Sequence, residues 1–243
     1  MRIVFLGTSH GYPEPGKRCS STLIEVGESR YIIDMGTQAV EDLIARNIPL
    51  ASVKAVFVTH LHGDHTNGLL SFVDVCSWKF KNSDPIIYLP GDTENARECI
   101  RAWLACNGTP MRPFDFRSVQ EGVLFEDGVI RVTAYRTKHM EHSYAYLVEA
   151  EGKRVLFSGD LSAKGPQEDF PVAVLDEPLD LAICECAHFE ATEYLPLFEG
   201  KGNLKSLCFN HTSERFLHSV LEVKAQLTHI PVIRLLDGME ITV

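Results

Sequence analysis

The sequence THLHGDH, residues 59–65, places four potential metal ligands within six consecutive residues. The residues before it, 54–59, are apolar and rich in β-branched and aromatic side chains, which predicts a short buried strand. Alternate side chains of an extended chain point to the same side, so His60 and His62 are expected to face one ion. Four ligands at this spacing on a strand end favour a metal site over a polar surface loop.

The second half of this motif predicts a second ion. Gly63 frees the backbone for a sharp turn, which would direct Asp64 and His65 away from the first two histidines. Imidazole and carboxylate ligands suit zinc, and they also suit manganese or iron. The motif therefore predicts divalent metal binding, with zinc as the expected metal and manganese and iron as alternatives.

Three later apolar runs, each predicted to be a strand, end at a ligand-type residue: His139 after 129–137, Asp160 after 154–158 and His211 after 205–210. The carboxyl ends of neighbouring strands can converge on one rim of a sheet. Taken singly, a loop histidine, a turn aspartate and a neighbour of a helix cap explain these residues equally well. Together with the first motif they make seven ligands, enough for two metals. The predicted set is His60, His62, Asp64, His65, His139, Asp160 and His211.

The order of predicted elements indicates an α/β (α+β) fold. Helices are predicted over 38–46, 67–80, 93–106 and 213–227, and hairpins over 21–34, 123–137 and 143–158. Hairpins with interspersed helices indicate two sheets packed face to face with helices outside. No linker, repeat or low-complexity tract divides the chain, so residues 1–243 are predicted to form a single domain.

Composition narrows the class of protein. The 243 residues are 45% hydrophobic, which is ordinary for a globular chain with a real core. A formal net charge of −10 argues against broad electrostatic binding to nucleic acid or to an anionic membrane. The seven cysteines are odd in number and form no C-x-x-C pair, which favours a reducing cytosol. With no signal peptide and no apolar run of about 20 residues, a cytoplasmic location and no membrane partner are expected.

The ligand pattern resembles the metallo-β-lactamase superfamily over essentially the whole chain. The resemblance rests on T-H-x-H-x-D-H at 59–65, on S-G-D at 158–160 and on two strand-end histidines, His139 before that segment and His211 after it. It implies a four-layer αββα sandwich with a dinuclear site between the sheets. It also implies that His60, His62 and His139 hold one metal, that Asp64, His65 and His211 hold the other, and that Asp160 bridges them. Asp34 matches a family aspartate that braces the site without binding metal.

Within the superfamily, the first loop is similar to that of ribonuclease Z and its relatives. The similarity rests on G-T-S-x-G-x-P at 7–13, on R-C-S-S at 18–21 and on D-M-G-T-Q at 34–38. Tyr144 and Tyr146 fit the same branch and favour His139 as the ligand, with His142 as the alternative. The tRNA-processing members carry an H-S-T segment that has no counterpart here, so tRNA 3′ processing is not expected. The resemblance also implies a homodimer.

The expected chemistry is hydrolysis. Two metals would clamp the attacking and leaving oxygens, and a metal-bridging hydroxide would be the nucleophile. Asp64 would orient or deprotonate it, and His188, which follows the predicted strand 179–185, is the candidate proton donor, with a surface histidine as the alternative. Candidate contacts for an anionic substrate are Lys17, Arg18 and Lys138. The pocket walls are expected from the first loop and from 78–84 and 161–178.

The predicted function is therefore a phosphodiesterase that acts on a small molecule, such as a nucleotide, or on short nucleic acid. The alternative is a carboxylic ester, thioester or lactone hydrolase that uses the same two metals. Iron-dependent oxygen chemistry is a weaker hypothesis because 243 residues leave no room for an appended flavin domain. A binding protein with an incidental metal site is weaker as well, because no ligand of the set is missing.

Overall fold

The computed structural model describes residues 1–12, 14–200 and 202–243. In these residues fourteen strands form two seven-stranded sheets, and five α-helices accompany them. Pro13, the last residue of the first-loop motif, lies outside the described residues. No helix in the described part of the chain is long and apolar enough to cross a membrane.

The first sheet begins as an antiparallel meander and continues with parallel strands. Its first six strands are β1 (Arg2–Gly7), β2 (Ser21–Val26), β3 (Ser29–Met35), β4 (Val53–Phe57), β5 (Ile86–Leu89) and β6 (Asp115–Ser118). The parallel crossovers after β3, β4 and β5 contain the helices α1 (Ala39–Ala45), α2 (Gly63–Trp78) and α3 (Thr93–Cys106). Parallel strands need such crossovers, and these put the carboxyl ends of β3, β4 and β5 at one edge.

The second sheet repeats this plan, with antiparallel pairing first and parallel pairing after β10. Its strands are β7 (Gly122–Glu126), β8 (Arg131–Arg136), β9 (Tyr144–Ala150), β10 (Lys153–Phe157), β11 (Leu181–Cys186), β12 (Leu207–Thr212) and β13 (Val232–Arg234). The helices α4 (Leu195–Phe198) and α5 (Leu217–Gln226) lie in its crossovers. The last strand, β14 (Glu240–Thr242), returns to the first sheet and pairs antiparallel with β1.

Three apolar cores separate four layers. The core between the sheets takes side chains from both, such as Phe57 and Tyr146. A second core joins the first sheet to its helices through residues such as Phe72, and a third joins the second sheet to its helices through residues such as Tyr194 and Val223. Each sheet thus buries both faces, one against the other sheet and one against helices. The predicted α/β class and four-layer αββα sandwich are confirmed, while the single domain over 1–243 stays a prediction.

Some predicted boundaries differ from the structure. The helix predicted over 67–80 is α2, which begins at Gly63, so the second half of the ligand motif forms its first helical turn rather than a sharp turn. The helix predicted over 213–227 is a 3₁₀ turn at 214–216 followed by α5, and Ser213 makes no side-chain cap bond. Strand β6 escaped prediction because it is an edge strand, mostly exposed, with little apolar signal.

Two glycines are required where the elements approach the ligand loops. Gly159 has a φ of +57°, and a Cβ there would lie 2.7 Å from the carbonyl oxygen of Tyr144. Gly68 in α2 lies against the end of β3, because a Cβ there would lie 2.1 Å from the carbonyl oxygen of Gly36. Larger residues at either position would displace backbone beside the site.

Candidate metal centre and active site

The ligand motif spans the junction between β4 and α2. His60 is completely buried just beyond β4, and His62 is the extended residue that precedes the helix. Asp64 and His65 follow in the first turn of α2, with His65 buried and Asp64 partly exposed. The change from extended to helical backbone at Gly63 therefore separates the motif into two pairs that face different neighbours.

One group of potential ligands joins the first pair to the second sheet. His60 Nε2 lies 3.0 Å from His62 Nδ1, and His139 Nε2 lies 3.2 Å from the same Nδ1. Asp160 Oδ2 lies 3.6 Å from His60 Nε2 and 3.7 Å from His139 Nε2. Ligands of a tetrahedral zinc at about 2.0–2.1 Å are about 3.3–3.4 Å from one another. The four side chains are therefore spaced as ligands of one ion.

The structure separates the two histidines considered for this group. His139 follows β8 and takes part in the contacts above. His142 is exposed and lies beside Gly91, and its Nε2 is 3.9 Å from a carboxylate oxygen of Glu141. Among the described residues, His142 belongs to no cluster of potential ligands. The geometry thus favours His139.

A second group of potential ligands lies beside the first. It consists of Asp64, His65 and His211. His65 Nε2 lies 3.4 Å from Asp64 Oδ2 and 3.4 Å from Asp160 Oδ1. His211 Nε2 lies 3.7 Å from Asp64 Oδ2 and 3.3 Å from Asp160 Oδ2. Asp160 therefore stands between the two groups.

Burial and mutual charge shift the acid–base behaviour of these residues. Burial lowers the pKa of His60 to about 2, and nearby His65 adds to this, so its imidazole is neutral and offers a lone pair. Burial lowers the pKa of His65, but the Asp160 and Asp34 carboxylates together outweigh it, so the pKa of His65 lies well above its usual value. Burial raises the pKa of Asp64 and Asp160, but His65 and His211 outweigh it, so both carboxyls ionise below their usual range. Ionised carboxylates are the form that binds cations.

Two buried polar atoms at the centre of the cluster have no hydrogen-bond partner among the described residues. They are His65 Nε2 and Asp160 Oδ1. Buried polar groups are almost always satisfied, because an unsatisfied one costs about 1–3 kcal/mol. A divalent cation would satisfy both atoms. Since all seven donors are imidazole nitrogens or carboxylate oxygens, the residues fit zinc, manganese or iron.

Asp34 braces this arrangement from the end of β3. Its Oδ2 lies 2.7 Å from His65 Nδ1, and its Oδ1 accepts a hydrogen bond of 2.7 Å from the backbone N–H of Thr59. Asp34 itself has a φ of +58°, a conformation uncommon for residues other than glycine. Donation from Nδ1 leaves His65 Nε2 free to face the cluster. The residue that the family resemblance assigned to bracing thus contacts a predicted ligand directly.

His188 lies beside the cluster and is held by Glu185. Its Nδ1 is 2.9 Å from both carboxylate oxygens of Glu185, and its Nε2 is 3.8 Å from Asp160 Oδ2. Glu185 is buried and also accepts the backbone N–H groups of Leu161, Ala187 and His188. Burial lowers the pKa of His188, but the hydrogen bond and charge of Glu185 raise it above its usual value. Glu185 therefore fixes the orientation of the His188 imidazole beside the cluster.

Two aspartates that the sequence analysis did not single out tie the surrounding loops together. Asp169 accepts the backbone N–H of Lys138 at 2.6 Å and that of Ser162 at 3.0 Å, which joins the loops next to His139 and Asp160.

The second is Asp237, which closes the base of the first loop. It accepts the backbone N–H groups of Thr8 and Arg18, each at 2.8 Å. Both aspartates act across long sequence separations, and nothing in the local sequence distinguishes them from turn residues.

The cluster opens into a cavity of about 380 Å³. Residues 10–12 of the first loop form one wall, and residues near His188 and His211, including Arg215, form the other. The other predicted wall segments, 78–84 and 161–178, do not line this cavity.

The basic residues predicted to contact an anionic substrate are engaged elsewhere. Lys17 pairs with Glu14 and Glu214, and Arg18 pairs with Asp42. Lys138 points to Glu168, 3.6 Å away, and none of the three lines the cavity. The structure does not support these expectations, because neighbouring carboxylates of this acidic chain pair with the three cations.

Fold and site together define a protein of the metallo-β-lactamase fold. The structure matches the metallo-β-lactamase fold protein YhfI from Bacillus subtilis with a TM-score of 0.79 at 19% identity, over 99% of this chain and 98% of that one. It matches human tRNase Z, short form, with a TM-score of 0.77 at 21% identity, over 100% of this chain and 99% of that one.

Sequence comparison identifies the family to which the chain belongs within this fold. It is 31% identical over 170 residues to a ribonuclease Z of Listeria innocua, which covers 68% of this chain and 55% of the relative. The chain thus spans about half the length of the curated relatives it matches. Residues 1–177 match the family described as Anti-Pycsar protein Apyc1, and the chain belongs to that family. The predicted resemblance to the ribonuclease Z-like branch of the superfamily is confirmed.

Proposed function

We propose that this protein is a dinuclear metal-dependent hydrolase that cleaves phosphodiesters in small substrates. The observation that carries the proposal is the pair of ligand groups that both contact Asp160, with Nε2 of His188 3.8 Å from the same carboxylate. In this proposal the two sites are divided as the family resemblance implies. His60, His62 and His139 hold one ion, Asp64, His65 and His211 hold the other, and Asp160 contributes to both.

Zinc is the metal we propose, with manganese and iron as alternatives. Two divalent cations bound there would activate a water molecule near neutral pH and polarise the phosphoryl oxygen. The choice of zinc rests on the donor set alone, because the three imidazoles and one carboxylate of the first group suit its coordination. The homodimer and the cytoplasmic location stay predictions.

The side chains of this protein would perform the proton transfers. Asp64 faces the cavity and orients the attacking water, whose proton it accepts on a carboxylate oxygen. As the bond between phosphorus and the leaving oxygen breaks, His188 donates the proton on Nε2 to that oxygen. Glu185 holds the imidazole through Nδ1 and stabilises the protonated form before transfer.

Two observations favour a small phosphodiester as the substrate. A cavity of about 380 Å³ has the size of sites for small molecules. The relative named ribonuclease Z carries the name of an enzyme that cleaves the phosphodiesters of RNA, and the metal-ligand pattern here resembles that branch. The net charge of −10 disfavours an extended contact with nucleic acid, so a nucleotide or a short single strand is the better fit.

The test is hydrolysis of bis(p-nitrophenyl) phosphate by protein loaded with zinc or manganese. We expect turnover that a chelator removes and that Asp64→Ala reduces by at least about a hundredfold. Asp176→Ala, which removes an exposed carboxylate outside the cavity, should leave it unchanged. Full metal occupancy without turnover would contradict the proposal and would favour the alternative, hydrolysis of carboxylic esters, thioesters or lactones.

A further inference from the structure

Among the residues that the structure describes, Arg215 is the one arginine on the wall of the cavity. It lies in the 3₁₀ turn that follows β12 and His211. Its Nη2 donates a hydrogen bond of 3.1 Å to the carbonyl oxygen of Ala187, the residue before His188. Its guanidinium carbon lies 4.3 Å from the centre of the Phe216 ring. The stacking and the hydrogen bond fix one side of the guanidinium and leave the remaining N–H groups available.

The Arg215 guanidinium forms no ion pair within the described part of the chain. No carboxylate oxygen of the described residues lies within 4.0 Å of its nitrogens, although the chain has 33 acidic residues. Even the adjacent Glu214 pairs with Lys17 instead, at 2.9 Å. An oriented arginine without a counter-ion, on the wall of a cavity that leads to a hydrolytic site, indicates an anionic ligand.

We propose that Arg215 binds phosphoryl oxygens of the substrate beside His188. This inference rests on the proposed function and adds the residue that holds the anion. A guanidinium presents parallel N–H groups that match two oxygens of a phosphate, and such bonds are stronger than neutral ones. The link through Ala187 places this donor next to the imidazole that protonates the leaving oxygen. Arg215 would therefore bind the group to which that oxygen is attached.

Titration of inorganic phosphate by calorimetry tests the inference without turnover. With metal-loaded protein, we expect Arg215→Gln to weaken phosphate binding by about ten- to a hundredfold, as the loss of hydrogen bonds to a charged group implies. Arg101→Gln removes the same charge from an exposed position of α3 outside the cavity, and it should bind phosphate as the wild type does. Equal affinity in Arg215→Gln and the wild type would overturn the inference.

Two further measurements distinguish anion binding by Arg215 from a structural role of this residue and from failure of the proposed function. Arg215→Gln should raise KM for bis(p-nitrophenyl) phosphate and leave hydrolysis of the neutral ester p-nitrophenyl acetate unchanged. A protein that cleaves neither substrate would contradict the proposed function, and the phosphate titration would still decide the role of Arg215. If Arg215→Gln alters metal content or melting temperature, Arg215→Lys decides: weaker phosphate binding at normal stability supports the inference, and unchanged binding overturns it.

Discussion

The two sheets supply the site in opposite ways. The first sheet places four predicted ligands at a single strand end, within residues 60–65. The second sheet places one residue at or beyond each of four strands: His139 after β8, Asp160 after β10, His188 after β11 and His211 in β12. The first arrangement depends on local chain geometry, whereas the second depends on strand pairing across more than 70 residues. A compact motif can therefore indicate a metal site, and residues from separate strands then complete the set of ligands.

The same contrast appears in the family match. Residues 1–177 contain six of the seven predicted ligands, and the last, His211, follows with His188 and Arg215. The residues proposed to protonate the leaving group and to hold the anion thus lie outside the matched segment.

Asp160→Asn is the substitution with the largest expected effect, and it tests how far the ligands of the two sheets act separately. Asp160 Oδ2 lies 3.6 Å from His60 Nε2 in the first group and 3.3 Å from His211 Nε2 in the second, so the change should disturb both ions although it comes from the second sheet. Several kcal/mol of transition-state stabilisation would be lost, which corresponds to about a thousandfold in kcat/KM for bis(p-nitrophenyl) phosphate. Metal content measured by mass spectrometry should fall as well. Asp176→Asn is the matched control, and a variant with normal metal content and rate would refute the shared role.

His188→Ala should separate protonation from metal binding. We expect metal content to stay normal while hydrolysis of a diester with an alkoxide leaving group falls by about a hundredfold. Hydrolysis of bis(p-nitrophenyl) phosphate should fall much less, because p-nitrophenolate leaves without a proton. Equal losses for both substrates would argue against proton donation. His218→Ala, at an exposed position of α5, is the control.

Asp34→Asn tests the brace on the first sheet. The amide cannot accept from Thr59 and also hold His65 as the carboxylate does, so His65 should lose its fixed orientation. Changes of this kind lower metal affinity by about ten- to a hundredfold. Competition with a fluorescent chelator would measure it, with Asp92→Asn, a helix-cap change in α3, as the control. Unchanged affinity would show that the α2 helix alone orients His65.

Asp169→Asn tests the corresponding hydrogen bonds beside the second sheet and should have the smallest effect on metal affinity. Asp169 holds two backbone N–H groups next to predicted ligands rather than a ligand itself. An amide oxygen retains part of this bonding, so we expect metal affinity to fall by only a few fold, roughly one hydrogen bond in free energy. The same chelator competition measures it. A loss as large as that of Asp34→Asn would show that the scattered ligands need more support than the compact motif.

Several errors of the sequence analysis share one cause. Glu185 stands three residues before His188 at a strand end, a spacing that could have indicated a paired acid and imidazole. Asp169, Asp237 and Arg215 carried no such signal, because their partners lie on distant loops. Conversely, Lys17 and Arg18 stood in a suitable loop, but folding brings Glu214 to Lys17 and Asp42 to Arg18, and these carboxylates pair with their charges.

The four-layer architecture and the bridging role of Asp160 were implied by the family resemblance. The sequence by itself determined the fold class and a set of seven potential ligands. It could do so because apolar periodicity and ligand spacing are local properties, and because strand ends tend to meet at one edge of a sheet. The tertiary structure alone decided that Glu185 holds His188 and that Arg215 has no carboxylate partner among the described residues. These features depend on how the folded chain packs around the site.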